Sequence, residues 1–258
     1  MDWTWPGSDA WAVGGVSIKP SVNALWLTTW GDVTGSGAPG LANWAAGEVI
    51  QLGDPSLTFG SLTNGTFSSI QNFDVFDKPT GAFPGDGNVD IDAVHYVTTN
   101  LTIGGSAGQV NVQTGDLLVS TTTFEELESS NTLTVNAGDV FIFRSDTPGD
   151  YSAGTFEILI DAACLPAPLT SVTGVSLVET GVTVGGSPLA TGTFLLLDDG
   201  NPEWGHVYYF DPTGTGGVGI GTTSGTQSIL IDGNDNIATA KPIRGLEMCR
   251  SRSTPSRR

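Results

Sequence analysis

Residues 154–161 read Gly-Thr-Phe-Glu-Ile-Leu-Ile-Asp, and this stretch has a counterpart on each side of it in the chain. Gly65-Thr-Phe67, leading to Phe73-Asp74, begins 89 residues earlier, and Gly225-Thr226, leading to Ile231-Asp232, begins 71 residues later. The last two copies are apolar, β-branched runs after a glycine, which is the pattern of a strand entered through a turn, and the first is a looser version. Recurrence at this period predicts a repeat architecture, which usually presents a surface rather than one catalytic centre.

Other segments recur inside the copies. Asp139-Val-Phe-Ile-Phe143 matches His206-Val-Tyr-Tyr-Phe210, so both are predicted to be equivalent strands. Gly-Gly pairs stand at Gly14-Gly15, Gly104-Gly105 and Gly185-Gly186, and each is predicted to form a hairpin turn at the start of a copy.

The composition predicts an all-β protein. Glycine (36 residues) and proline (14) are frequent, only 14% of residues are charged, and no stretch has the period of a long amphipathic helix. We expect three internal repeats of four to five antiparallel strands each, arranged like a propeller, with tandem β-sandwich modules as the alternative. Each copy is longer than the common blade period of about 40–50 residues.

The chain is predicted to divide at the repeats. A composition change near the C-terminus adds a segment rich in arginine, which is either disordered or an artificial end. The predicted segments are a divergent first repeat with a Trp-rich N-terminus (1–77), a linker loop (78–88), a second repeat (89–165), a third repeat (171–238) and a basic tail (239–258).

The charge excludes one class of partner. The net charge is −18, and residues 1–240 hold three basic residues against 26 carboxylates, a net of −23. Such a surface repels phosphate backbones, so nucleic acid is not expected to bind, whereas calcium is compatible with it. No apolar run is long enough for a membrane helix, and membrane insertion is not expected.

Acidic loops are the strongest candidate binding sites. The loop at 86–92, Asp-Gly-Asn-Val-Asp-Ile-Asp, carries oxygen ligands at alternate positions, as calcium requires. It lacks the sixth-position glycine and the twelfth-position glutamate of an EF-hand. The alternative is that Asp, Asn and Gly simply form turns here and in the shorter loops at 198–201 and 232–236. The predicted calcium ligands are Asp86, Asn88, Asp90, Asp92, Asp232, Asn234 and Asp235.

Tryptophans are concentrated in the first 44 residues, where six of the seven lie. Exposed aromatic rings on a β surface can stack on sugar faces, although large aromatic residues also fill cores. The predicted carbohydrate-binding residues are Trp3, Trp5, Trp26, Trp30 and Trp44.

Motifs that suggest catalysis are weak in this chain. Gly104-Gly-Ser-Ala-Gly108 matches the G-x-S-x-G nucleophile pattern, but that pattern requires a following helix, and here a polar strand is predicted. Of the two histidines, His206 is predicted to be a surface residue at a strand start and His95 a structural one. A glycosidase would need a carboxylate pair, for which Asp90 with Asp92, or Glu125, Glu126 and Glu128, are the candidates.

Four segments carry a family resemblance: Val89–Val97, Gly115–Ser120, Asp139–Arg144 and Gly149–Phe156. They resemble repeat segments of very long, secreted bacterial surface proteins that contain cadherin-like or other calcium-dependent modules. The resemblance implies a non-enzymatic, extracellular adhesin or matrix module, stiffened by calcium. Its implied partners are other repeats of a longer parent chain and cell-surface glycans. The alternative is a secreted hydrolase (glycosidase or esterase), or a carbohydrate-binding module that uses the tryptophans.

Overall fold

The computed structural model describes residues 13–19, 24–29, 31–53, 65–78, 88–198 and 205–232. This part of the chain contains eighteen strands, two short 3-10 turns and no α-helix, so the all-β prediction is confirmed. In chain order the strands are β1 (Val13–Lys19), β2 (Ala24–Thr29), β3 (Glu48–Gly53), β4 (Thr66–Asn72), β5 (Ile91–Tyr96), β6 (Leu101–Gly105), β7 (Gly108–Val112), β8 (Leu117–Thr121), β9 (Glu125–Glu128), β10 (Thr132–Val135), β11 (Val140–Thr147), β12 (Asp150–Ile160), β13 (Val172–Leu177), β14 (Val182–Val184), β15 (Ser187–Leu189), β16 (Phe194–Asp198), β17 (His206–Asp211) and β18 (Thr226–Ile231).

Twelve of these strands form three antiparallel sheets with the same topology. Sheet I has the order β1-β2-β3-β4, sheet II the order β5-β8-β11-β12, and sheet III the order β13-β16-β17-β18. Each sheet is therefore a four-stranded meander. The two-stranded hairpins β6–β7, β9–β10 and β14–β15 are inserted between successive strands of sheets II and III.

The register irregularities repeat as well. In every sheet the pairing shifts between the first and second strands and again between the third and fourth. The second of these shifts follows Val49 in sheet I, Val140 in sheet II and Val207 in sheet III. The shared position of this shift makes residues 48–52 of β3, Glu-Val-Ile-Gln-Leu, equivalent to β11 and β17. These are the third strands of sheets II and III, whose sequences match each other.

One predicted hairpin is wrong. Gly104-Gly105 and Gly185-Gly186 lie at the turns of β6–β7 and β14–β15, as expected. Gly14-Gly15 instead lies inside β1, where the β1–β2 register shifts between Val13 and Val16. The dipeptide permits a turn but does not require one, because glycine is equally at home in a bulged strand.

Sheet II is buried on both faces. Leu117, Val119, Phe141 and Phe143 join a core that includes Trp26 and Phe73 from the sheet I region. Because side chains alternate along a strand, the intervening Leu118 and Ile142 join a second core with sheet III. The first strands β1, β5 and β13 also pack against one another, so the three repeats share their interior.

A glycine-rich joint connects sheet III to the β6–β7 hairpin. The loop between β17 and β18 places the carbonyl oxygens of Gly214 and Gly216 against the hairpin turn, where they accept hydrogen bonds from the amides of Ser106 (3.0 Å) and Ala107 (3.1 Å). A Cβ atom on Gly105 would lie closer to both carbonyls than van der Waals contact allows. The G-x-S-x-G motif is thus a backbone-to-backbone docking surface.

We predict that Gly105→Ala lowers the free energy of unfolding by about 1–3 kcal/mol, because the added methyl group must push the two backbones apart. Gly31→Ala is the matched control, since nothing lies within 4 Å of a Cβ atom there. Thermal or urea unfolding of the two variants measures the difference. Equal free energies of unfolding for the two variants would contradict the prediction, because they would show that the hairpin turn and the β17–β18 loop can move apart without a loss of stability.

Candidate functional site

Several carboxylates of this acidic chain cap turns. The Oδ2 atoms of Asp116 and Asp139 each accept a hydrogen bond of 2.8 Å from the amide three residues earlier. Glu48 Oε2 does the same at 3.1 Å. In all three turns the amide of the acidic residue donates back to the carbonyl three positions earlier. These side chains hold the chain at the start of a strand, and their oxygens are already engaged.

The first predicted calcium loop is partly described. Asp86 lies outside the described residues, Asn88 is exposed and Asp90 is half-buried. Asp92 lies at the register shift of β5 and is only 5% exposed. Its Oδ2 atom accepts a hydrogen bond of 3.1 Å from Ser171 Oγ, just before β13. Asp92 therefore connects the starts of two first strands.

The second predicted loop contributes Asp232, whereas Asn234 and Asp235 lie outside the described residues. Asp232 Oδ1 lies 3.4 Å from His206 Nδ1. His206 is only 4% exposed, so its prediction as a surface residue is wrong. The equivalent residue of the second repeat, Asp139, is also buried, and it too has internal partners, the amides of Asn136 and Ala162.

These side chains lie along one end of sheets II and III. Asp198 pairs in register with Val172 on one side and His206 on the other, and Asp232 directly follows β18. Neighbouring strands lie about 4.8 Å apart, so the residues form a row rather than scattered positions. We call this row the acidic end; it consists of Asp92, Ser171, Asp198, His206 and Asp232.

Tyr208 lies beside the acidic end and is affected by its charge. Its ring packs edge-on to His206, with ring centroids 5.9 Å apart. Burial raises the pKa of Tyr208, and the negative charges of Asp198 and Asp232 raise it further. Asp198 pairs with His206, and Tyr208, two residues further along β17, packs against the core shared with sheet II, so these three side chains lie on the side of sheet III that faces sheet II.

The acidic end fits calcium incompletely. Calcium takes six to eight oxygen ligands. Among the described residues, no group of three His, Cys, Asp or Glu side chains is close enough to hold a metal ion. A complete shell at either predicted loop would need oxygens from outside the described ranges, such as those of Asp86 or Asn234.

A second carboxylate lies at the opposite end of β5 and β13. Both oxygens of Glu179 accept from the amide of Thr98, at 2.9 and 3.0 Å, and Oε2 also accepts from Thr98 Oγ1 at 2.5 Å. His95 Nε2 lies 3.3 Å from Glu179 Oε1, and both side chains are 7% exposed. Burial raises the pKa of Glu179, but the contacts with His95 and Thr98 outweigh it and leave the pKa below its ordinary value.

The described tryptophans belong to the core. Trp26 is 2% exposed, packs against Tyr96 and Tyr151, and donates from Nε1 to Gln51 Oε1 at 3.0 Å. Trp44 is 8% exposed and donates to Thr29 Oγ1 at 3.0 Å. Neither ring can stack on a sugar in this position. Trp3, Trp5 and Trp30 lie outside the described residues.

The candidate hydrolase residues are also engaged internally. Glu126 and Glu128 lie 3.2 and 3.6 Å from Lys78 Nζ. Glu125 is buried and accepts from Thr123 Oγ1 at 2.7 Å. These glutamates lie on strand β9, in which Glu126 and Glu128 share a face and contact the same lysine.

No protein-family model, curated protein or solved structure matches this chain. Within the described ranges, no helix has the length and apolar character needed to cross a membrane.

We predict that Glu179→Gln destabilises the protein by about 1–3 kcal/mol at pH 7, because the amide leaves a buried donor poorly matched. Since the folded pKa of Glu179 lies below its ordinary value of 4.5, its stabilising effect is complete above pH 4.5 and is lost as the pH falls through the folded pKa. Thermal melts from pH 7 down through the folded pKa of Glu179 should show that the difference in melting temperature between wild type and Glu179→Gln becomes smaller in acid.

Glu157→Gln, which removes an exposed carboxylate on β12, is the control and should leave stability nearly unchanged. A wild-type advantage over Glu179→Gln that persists unchanged in acid would contradict the assigned role of the ionised carboxylate.

Proposed function

We propose that the chain is a non-enzymatic, extracellular β-repeat module of a bacterial surface protein of the adhesin type. The observation that carries the proposal is the repetition of one four-stranded meander, with its register shifts, in three sheets that share their interior. Repeat architectures present extended surfaces, and each unit is stabilised by its contacts with the neighbouring units. On this proposal the module acts as a stiff structural unit and catalyses no reaction.

The finer arrangement proposed is propeller-like. Its support is that the first strand of every sheet packs against the other first strands, while β4, β12 and β18 are the last strands of their sheets. Tandem β-sandwich modules are less well supported, because independent modules would not leave sheet II buried on both faces by its neighbours.

The proposed partners are other repeats of a longer parent chain and glycans at the cell surface. The acidic composition supports this choice, because it disfavours phosphate backbones and keeps an extracellular protein soluble. The three turns that Glu48, Asp116 and Asp139 cap would help the folded module to resist unfolding outside the cell.

Calcium is proposed to stiffen the module at the acidic end and the neighbouring loop that begins at Asp86. The support is the concentration of carboxylates there, where mutual repulsion would be relieved by a divalent cation. A cation that binds only the folded state raises the free energy of unfolding by about 2.7 kcal/mol when its free concentration is 100 times its Kd.

We predict that the melting temperature of the full chain rises with calcium relative to chelator, and does not rise with magnesium at the same ionic strength. Asp232→Asn should reduce the calcium-dependent increase, and Glu157→Gln, which removes the same charge at an exposed position of β12, should retain it. A melt that calcium leaves unchanged would remove calcium from the proposal.

The non-enzymatic part has its own test. Incubation of the full chain with polysaccharides and with chromogenic esters should give no turnover above buffer, while binding to immobilised glycans is measured in parallel. Turnover that a single carboxylate substitution abolishes would replace the surface-module proposal with a hydrolase.

A further inference from the structure

A polar pocket of about 260 Å³ lies at the end of sheet III where the loop between β17 and β18 meets these two strands. Asp211 and Thr226, which pair in register at this end of the ladder, both line it. The other side chains that line it are those of Thr213, Thr215 and Ser224. We call this site the loop pocket, and all of its lining residues lie within the described part of the chain.

The loop that forms the pocket is longer than a connection between two paired strands requires. In sheet II the third and fourth strands are joined by residues 148–149 alone, whereas the equivalent connection in sheet III runs through residues 212–225. Ordering the extra residues costs conformational entropy that a two-residue turn avoids. The joint with the β6–β7 hairpin accounts for Gly214 and Gly216, whose carbonyl groups it uses, but not for the carboxyl and hydroxyl side chains of the loop pocket.

Backbone contacts fix the shape of the loop pocket. Gly217 and Ser224 exchange hydrogen bonds of 2.9 and 3.0 Å, which tie the two arms of the loop together. A Cβ atom on Gly225 would collide with the carbonyl oxygen of Asp211. One on Gly216 would collide with the carbonyl oxygen of Ser224. Because these segments lie so close together, the loop pocket is formed before a ligand arrives, and a preformed site loses less entropy on binding.

The carboxylate of the loop pocket is held in one orientation by the loop itself. Asp211 Oδ1 accepts hydrogen bonds from the amide of Thr213 at 2.8 Å and from Thr213 Oγ1 at 2.5 Å. Within the described part of the chain, no hydrogen bond engages Asp211 Oδ2 or the hydroxyl groups of Thr215 and Thr226. The loop pocket therefore offers one ionised acceptor and two hydroxyl groups to a ligand.

The chemistry of this lining excludes several classes of ligand. None of the described residues that line the loop pocket is basic, and Asp211 together with the net charge of −18 repels anions. None of them carries an aromatic or large aliphatic side chain, so an apolar molecule gains little there. Asp211 is the one carboxylate in the lining, whereas calcium takes six to eight oxygen ligands. A small neutral molecule rich in hydroxyl groups remains.

We propose that the loop pocket binds one neutral sugar unit of a surface glycan. A sugar hydroxyl can donate a hydrogen bond to the Asp211 carboxylate and accept one from Thr215 or Thr226. The volume of the pocket is smaller than the roughly 300 Å³ at which sites for drug-sized molecules begin, so it suits a single sugar ring. The inference rests on the glycan partner of the proposed function, and it gives that partner a site that uses none of the tryptophans.

Amide NMR of the full chain tests the proposal with four probes: glucose, galactose, mannose and N-acetylglucosamine, each titrated to about 10 mM. We expect at least one of them to shift the amide signals of residues 213–216 and 224–226, with a Kd of about 1 mM. The amide signals of His206 and Asp232 should not change, because these residues lie at the opposite end of β17 and β18.

Three variants locate the binding, in the titration and on immobilised glycans alike. Thr215→Phe adds a ring at an exposed position of the loop pocket, so it should abolish binding and leave the protein folded. Thr183→Phe, at an exposed position of β14, is the matched control and should bind as the wild type does. Asp211→Asn should raise the Kd about tenfold, because a neutral acceptor makes a weaker hydrogen bond than a carboxylate, although its amide oxygen can still accept from Thr213.

The outcomes separate this inference from the proposed function. Glycan or sugar binding that Thr215→Phe leaves unchanged would overturn the loop pocket as the site and leave the glycan partner in place. Absence of binding to every sugar and every immobilised glycan would overturn both. Calcium alone, if it shifted the same amide signals, would assign the loop pocket to a cation and overturn the inference.

Discussion

The packing of β5 against β13 is the constraint on which the rest of the structure depends. Two buried carboxylates tie these strands, one at each end: Asp92 accepts from Ser171 at their starts, and Glu179 accepts from Thr98 beyond their ends. A buried carboxylate without such donors would cost several kcal/mol, so each tie fixes the position of one strand along the other. With both ends fixed, the apolar faces of sheets II and III meet in one register, and the core between them can be filled at close packing.

Burial falls from the first strand to the last in sheets II and III, and this gradient explains the differences in composition between their strands. In sheet II, β5 and β8 are almost entirely buried, which requires apolar residues on both faces and gives runs such as Leu117-Leu-Val119. At the other extreme, β4 and β18 are largely exposed on their outward faces and are rich in Ser, Thr and Gln. Hydrophobic periodicity alone is therefore a poor guide to repeat boundaries in this chain, since equivalent strands keep the same depth but not the same pattern.

The sequence predicted the fold class and the matched strands β11 and β17 of the second and third repeats, because these two strands share an apolar pattern and follow a glycine in each case. It did not reveal that Glu48–Leu52 is the equivalent strand of the first repeat, although the Gly-Glu before Val49 matches the Gly-Asp before Val140. Aligning Gly14-Gly15 with the two hairpin glycine pairs instead placed the first repeat in the wrong register. The candidate site was less predictable still. Asp92 and Ser171 are 79 residues apart, and only the contact between two first strands brings them together. The burial of His206 follows from its pairing with Asp198, which no local pattern encodes.

Acidity in this protein has two physical roles that composition cannot separate. Asp116, Asp139 and Glu48 accept backbone amides in tight turns, where an ionised acceptor makes a stronger hydrogen bond than a neutral one. Asp116 is in addition bound by Arg144 through two bonds, of 3.0 and 2.8 Å, so its charge is neutralised locally. At the acidic end, the carboxylates of Asp198 and Asp232 instead flank the buried His206 beside Tyr208. Like charges in a partly buried row repel each other more strongly than the same charges in water, so this second role of acidity depends on internal partners, which for Asp92 and Asp232 include Ser171 and His206.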